Sequence, residues 1–164
     1  MTNFINRIQF RKNKKYRNSF ILAQNNFFLY EEFKKRLSLE KRRAEKTNNP
    51  LSIILSDLEF DKKANRYLFF GIDGNSLIEI ILSTVRETDV VSLQDFKEVI
   101  VILPDTDALQ ARVVVNGIIE KIKKIQYDKV YEEEQIFHKF KIIDVRDLAQ
   151  EKRLSPGIAH QASR

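Results

Sequence analysis

Arg86-Glu87-Thr88-Asp89 opens a stretch that continues as Val90-Val91-Ser92-Leu93, passes through Gln94-Asp95-Phe96-Lys97, and returns as Glu98-Val99-Ile100-Val101-Ile102-Leu103 before Pro104-Asp105-Thr106. Asp89–Leu93 and Glu98–Leu103 are short runs rich in β-branched residues, and the four residues between them make the pair read as a β-hairpin. Pro104 to Asp107 offers short oxygen-bearing side chains that cap a helix start. Ala108–Lys124 follows as a helix, with Leu109, Val113, Ile118 and Ile122 as its apolar positions and Gly117 as a mild weak point.

Upstream, Phe33, Leu37 and Ala44 form one apolar stripe among the charges of a long helix from Phe27 to about Lys46, which Asn48-Asn49-Pro50 ends. Leu51–Ser56 is short and mostly apolar, as expected of a buried central strand presenting Asp57 at its carboxyl end. Asp61 to Gly74 has no clean period and reads as a loop with a single helical turn. Ser76-Leu77-Ile78-Glu79 has the form of a capping box, opening a helix to about Arg86 with Leu77, Ile81 and Val85 on its buried face. Beyond the hairpin and its helix, Tyr127–Gln135 is polar, Ile136–Ile143 alternates as a last strand, and a helical turn follows from Arg146. Helix, strand, helix, hairpin, helix, strand is the order of an α/β (α+β) sandwich on a largely antiparallel sheet with flanking helices.

The 164 residues suit one domain, residues 26–148, between a basic N-terminal tail (1–25) and a C-terminal tail (149–164). No apolar run approaches a membrane span or a secretory signal, so a cytoplasmic location is expected. The absence of cysteine excludes disulfides, thiolate metal sites and cysteine nucleophiles. The net charge of +6 resides in residues 1–17, which hold six bases and no acid and leave 23 basic against 23 acidic residues in the remainder. A neutral remainder argues against a nucleic-acid partner. The tail is read as solvated, with weak contact to an anionic membrane surface as the alternative, at about 1 kcal/mol per basic group.

Several spacings then fall into one register. Asp57-Leu58-Glu59-Phe60-Asp61-Lys62-Lys63-Ala64-Asn65 lies over an Asp-x-Asp-x-Phe-Lys-x-x-Asn pattern; Arg86-x-x-Asp89, the five-residue spacer, the positions Asp95 to Val99 and Leu103-Pro104-Asp105-Thr106 follow in order. From Phe33 to about Val145 the chain resembles a GGDEF (diguanylate cyclase) domain whose signature hairpin has been overwritten. The resemblance implies the GGDEF, nucleotidyl cyclase-like fold. It also implies a reaction in which Mg²⁺ on oxygen ligands bridges the phosphates of GTP while the 3′-hydroxyl of a second GTP attacks.

By the same resemblance, Asp57 stands at the family's first metal aspartate and Asn65 at its guanine-reading asparagine. The third hairpin position is Lys97, whose ammonium cannot ligate a cation. Asp95 and Phe96 replace the glycines that let backbone approach phosphate, one adding negative charge and the other bulk. Glu98 keeps the fourth position, and the family's Gly-Asp pair appears inverted as Asp73-Gly74. The expectation is a vestigial site comprising Asp57, Asn65, Asp95, Phe96, Lys97 and Glu98, with no catalytic residue, no bound metal and no diguanylate cyclase activity.

Arg86 and Asp89 match the Arg-x-x-Asp that binds cyclic di-GMP in product-inhibited cyclases, the arginine forking onto acceptors and the aspartate accepting from guanine; the alternative is a structural ion pair. The Leu-Pro-Asp-Thr ending and the glycine-free hairpin look like the GGDEF-like domains associated with bacterial sugar transferases and exopolysaccharide synthesis. Together these imply a regulatory or interaction module, a cyclic di-GMP receptor in one version, with a sugar transferase or polysaccharide-synthesis component as partner in trans. The competing reading is a divergent nucleotidyl or diguanylate cyclase using Asp57, Glu98, Mg²⁺ and GTP.

Other constellations are weaker. Gly71 to Ser76 lacks the Gly-Lys-Ser/Thr ending of a phosphate loop. Asp57, Glu59 and Asp61 alternate without the glycine and glutamate of a calcium loop. His138, without a partner histidine, is read as a structural strand residue, and Lys41-Arg42-Arg43 as the solvated face of a helix.

Overall fold

The computed structural model describes residues 27–95, 97–126 and 131–148. The two tails, Phe96 and the segment 127–130 lie outside the described residues, and with them the expectations placed there. In chain order the elements are α1 (Tyr30–Thr47), β1 (Leu51–Asp57), β2 (Glu59–Asp61), β3 (Arg66–Phe69), β4 (Ile72–Asp73), α2 (Gly74–Leu82), β5 (Val90–Gln94), β6 (Glu98–Pro104), α3 (Ala108–Ile125), α4 (Glu133–Phe137) and β7 (Phe140–Asp144). Residues 145–148 add the helical turn expected after Arg146.

The main sheet runs β5-β6-β1-β7, and every neighbouring pair is antiparallel. Its strands are mostly apolar because both faces are covered, and the two-residue period sorts the side chains. Leu51, Ile53, Val90, Ile100 and Ile102 meet Phe33 of α1 on one side. Ile54, Val91, Val99, Val101 and Leu103 meet Leu77 and Ile81 of α2 and Ala111, Val115, Ile118 and Ile122 of α3 on the other. The register sets Leu51 opposite Pro104 and Asp57 opposite Glu98, so the carboxyl end of β1 abuts the start of β6. Among the described residues no helix is long and apolar enough to cross a membrane.

Four expectations change. First, residues 59–73 are a second, three-stranded antiparallel sheet, β2-β3-β4, rather than a loop. Phe60 and Tyr67 pair across it with ring centroids 5.2 Å apart, a contact that holds short strands together. Phe70 and Gly71, both at positive φ (48° and 80°), form the two-residue turn between β3 and β4. An aromatic residue is unusual there; the Phe70 ring packs 4.7 Å from Tyr131, and its carbonyl accepts from Gln126 Nε2.

Second, α2 starts at Gly74 and ends at Leu82. Its cap is Asp73, whose carboxylate accepts from Ser76 N (2.9 Å) and Ser76 Oγ (3.1 Å), so Ser76 donates to the cap instead of being it. Third, Leu109 and Val113 are 75% and 70% exposed, and the buried stripe of α3 is Ala111, Val115, Ile118, Ile119 and Ile122. Gly117 has a packing role: a Cβ there would stand 3.2 Å from the Thr84 methyl. Fourth, Ile136 and Phe137 are helical and β7 begins only at Phe140, which places His138, exposed, at the end of α4 beside Glu134 (3.7 Å).

Candidate functional site

The β5–β6 hairpin carries charged groups at both ends. At its tip the turn closes with Lys97 N donating to the Gln94 carbonyl (2.9 Å), and Asp95 takes a positive φ of 48°, a conformation that aspartate tolerates. Leu58 N donates to the Lys97 carbonyl (2.6 Å) and so ties the tip to the end of β1. Asp57 and Glu98 face each other across this join. Burial pushes the Glu98 carboxyl above its ordinary value, and a hydrogen bond to Asp57 and the Asp57 charge raise it further. Burial and the neighbouring Asp57 charge both favour the protonated form of Glu98 over its anion.

Lys97 does not join that pair. Its Nζ lies 5.7 Å from the centre of the Tyr67 ring, in cation–π range. As a magnesium site the tip is a poor fit: Mg²⁺ asks for deprotonated oxygen ligands, whereas the surroundings of Glu98 disfavour its anion and the turn carries an ammonium at Lys97. Among the described residues no group of three or more histidine, aspartate or glutamate side chains gathers in a metal-binding arrangement.

Beside the tip is a cleft of about 660 Å³ between the β2–β3–β4 sheet and the hairpin, with Phe60, Asn65, Arg66, Tyr67, Asn75 and Asp95 on its walls. It brings Asn65, Asp95 and the Asp73-Gly74 pair to one place, 30 residues apart in sequence as Asn65 and Asp95 are. A second cavity of about 310 Å³ has Asp57, Glu59 and Asp61 at its rim and shares Phe60 with the first. Glu59 there is bonded to Lys139, and Asp61 accepts from Ala64 N (2.8 Å). Phe60, Arg66, Tyr67 and Asn75 carry no spacing signal in the sequence, because the strands that place the first three are only three and four residues long.

At the open end of the hairpin Arg86 and Asp89 do come together. Asp89 is 1% exposed, and its carboxylate accepts from Arg86 N (2.8 Å) and Arg86 Nη2 (2.8 Å). The same Nη2 donates to the Pro104 carbonyl (2.8 Å) and to Thr106 Oγ1 (2.9 Å), and the Thr106 hydroxyl donates in turn to the Pro104 carbonyl (2.9 Å). The Arg86 guanidinium is held above its ordinary pKa chiefly by the hydrogen bond to Asp89. This network closes the turn between α2 and β5 onto the end of β6.

No family model matches the chain, and no curated protein matches it. Solved structures do. A DGC protein from Thermotoga maritima is similar with a TM-score of 0.51 at 16% identity, over 72% of this chain and 79% of that one. A GGDEF domain from Pseudomonas aeruginosa gives 0.48 at 23% identity, over 62% of this chain and 61% of that one. PelD from Pseudomonas aeruginosa, in its apo form, gives 0.48 at 16%, over 70% of this chain and 38% of that one. The chain thus spans less than two thirds of the last two. With its antiparallel sheet and flanking helices, this chain has the α+β fold of GGDEF, nucleotidyl cyclase-like domains.

Proposed function

We propose that this chain is a catalytically inactive GGDEF-like module that acts by regulation or by docking a partner in the cytoplasm, in the setting of exopolysaccharide production. The observation that carries the reading is the hairpin tip. The third position, where a cyclase needs a carboxylate, is Lys97, whose ammonium cannot ligate a cation and lies over the Tyr67 ring. A cation placed there would have to tolerate that ammonium and a Glu98 whose surroundings disfavour its anion. The exopolysaccharide setting, and a sugar transferase or polysaccharide-synthesis component as partner, rest on the Leu103-Pro104-Asp105-Thr106 ending and the glycine-free turn.

The test is incubation of the full chain with GTP and Mg²⁺ or Mn²⁺, followed by chromatography for cyclic di-GMP. No product is expected. Product that disappears in Asp57→Ala would establish the competing cyclase.

Within the regulatory reading, the version that works without nucleotide is favoured by the Arg86–Asp89 geometry. A cyclic di-GMP guanine would need an aspartate that is 1% exposed and already accepts from Arg86. Calorimetry with cyclic di-GMP on the wild type and on Arg86→Ala is expected to give no heat at micromolar protein. A saturable heat lost in the variant would restore Arg86 and Asp89 as a receptor site.

A further inference from the structure

The cleft beside the hairpin tip has a ligand chemistry of its own. Its volume of about 660 Å³ falls in the range of small-molecule sites, roughly 300–1,000 Å³. Among the described residues the side chains of Asn65, Arg66, Asn75 and Asp95 have no hydrogen-bond or ion-pair partner, although all four line this one space. Asp73, by contrast, is committed to capping α2. The wall therefore offers two amides that donate and accept, one guanidinium that donates and one carboxylate that accepts.

Its apolar surface is Phe60, 50% exposed, set edge-on to Tyr67 with an interplanar angle of 61°. Two rings at that angle form a corner rather than a parallel slot, and the Lys97 ammonium lies over the Tyr67 ring. Such a corner suits a puckered ring with an apolar C–H face better than a flat base that must stack. The lining carries one cation, Arg66, against two carboxylates, Asp73 and Asp95, with the Lys97 ammonium near the Tyr67 ring. A polyphosphate would meet two carboxylates without a net positive field to compensate.

We propose that this cleft binds an uncharged saccharide, with a sugar ring seated on Phe60 and Tyr67 and its hydroxyls bonded by Asn65, Arg66, Asn75 and Asp95. The proposal rests on the chain lacking cyclase activity, because Asn65 and Asp95 of the vestigial site line the cleft. Its test is a titration of the ¹⁵N-labelled full chain with maltotriose, cellotriose and tri-N-acetylchitotriose, run beside guanosine and GTP. At least one trisaccharide is expected to give saturable shifts confined to Phe60, Asn65–Tyr67, Asn75 and Asp95, at millimolar or lower concentration. Arg66→Ala and Asn75→Ala, both on the cleft wall and outside the buried core, are expected to weaken that binding at least fivefold with an unchanged melting midpoint. Saturation by none of the three, shifts elsewhere on the molecule, binding unaffected by both variants, or tighter binding of guanosine at the same residues would each overturn the proposal. Failure of all three trisaccharides without cyclic di-GMP formation in the separate GTP assay would overturn this proposal and leave the regulatory reading intact, whereas cyclic di-GMP formation would overturn both.

Discussion

At the open end of the β5–β6 hairpin the Asp89 carboxylate is buried and accepts from Arg86, whereas at the tip the surroundings of Glu98 favour its protonated form and Lys97 turns to an aromatic ring. The open end is built as a fastener: Arg86 joins the turn between α2 and β5 to the end of β6 through Asp89, Pro104 and Thr106. The tip and its adjoining cleft keep polar side chains without internal partners. Charged residues that match a family motif can thus have opposite physical roles. Burial and hydrogen bonding, rather than spacing, separate the two.

The contrast predicts unequal costs of substitution. Asp89→Ala removes the buried acceptor of the Arg86 backbone N–H and guanidinium and opens the turn, and is expected to lower unfolding free energy by about 2 kcal/mol. Asp57→Ala, at an exposed position, is expected to cost less than about 1 kcal/mol. Urea unfolding of both variants checks the pair, and equal losses would remove the distinction. Thr106→Val takes one hydroxyl from the same network while keeping its shape, for an expected loss of about 1 kcal/mol in the same assay.

The smallest effect belongs to Glu98. Its folded pKa lies above the ordinary glutamate value, so the stabilisation from its protonated form is present below that ordinary value and is lost as pH rises through the raised one. Glu98→Gln should therefore match the wild type in acid and gain on it as pH approaches neutrality, within the roughly 1 kcal/mol typical of exposed charges. Melting curves from pH 4 to 7.5 measure the difference, and a gain that shrinks with rising pH would contradict the raised Glu98 pKa.

Much of this fold is legible in the sequence because its main sheet is buried on both faces. Leu51–Ser56, Val90–Leu93 and Val99–Leu103 are continuous apolar runs with clear ends, and α1 shows its stripe through Phe33, Leu37 and Ala44. The β2–β4 sheet is not legible, since strands of three, four and two residues are too short to display a period. On α3 the set Leu109, Val113, Ile118 and Ile122 contains a five-residue step. The buried set Ala111, Val115, Ile118 and Ile122 keeps the regular four-three-four spacing, and there the small Ala111 conceals the pattern from a search for large apolar residues.

The site was legible in part for a related reason. Spacing brought Asp57 to Glu98 and Arg86 to Asp89, because both pairs are fixed by the hairpin register and the turn before it. It did not reveal the cleft, whose walls come from a sheet that the periodicity conceals. Nor could it reveal that Asp89 is spent within the fold, since solvent access to a carboxylate depends on the packing of α2, β5 and β6 together.

The central claim, that the hairpin tip does not support metal-dependent chemistry on GTP, is tested most directly by incubating the full chain with GTP and Mn²⁺ while following cyclic di-GMP over hours. The account predicts none above a protein-free control. Product formed by the wild type and abolished in Asp57→Ala would contradict it.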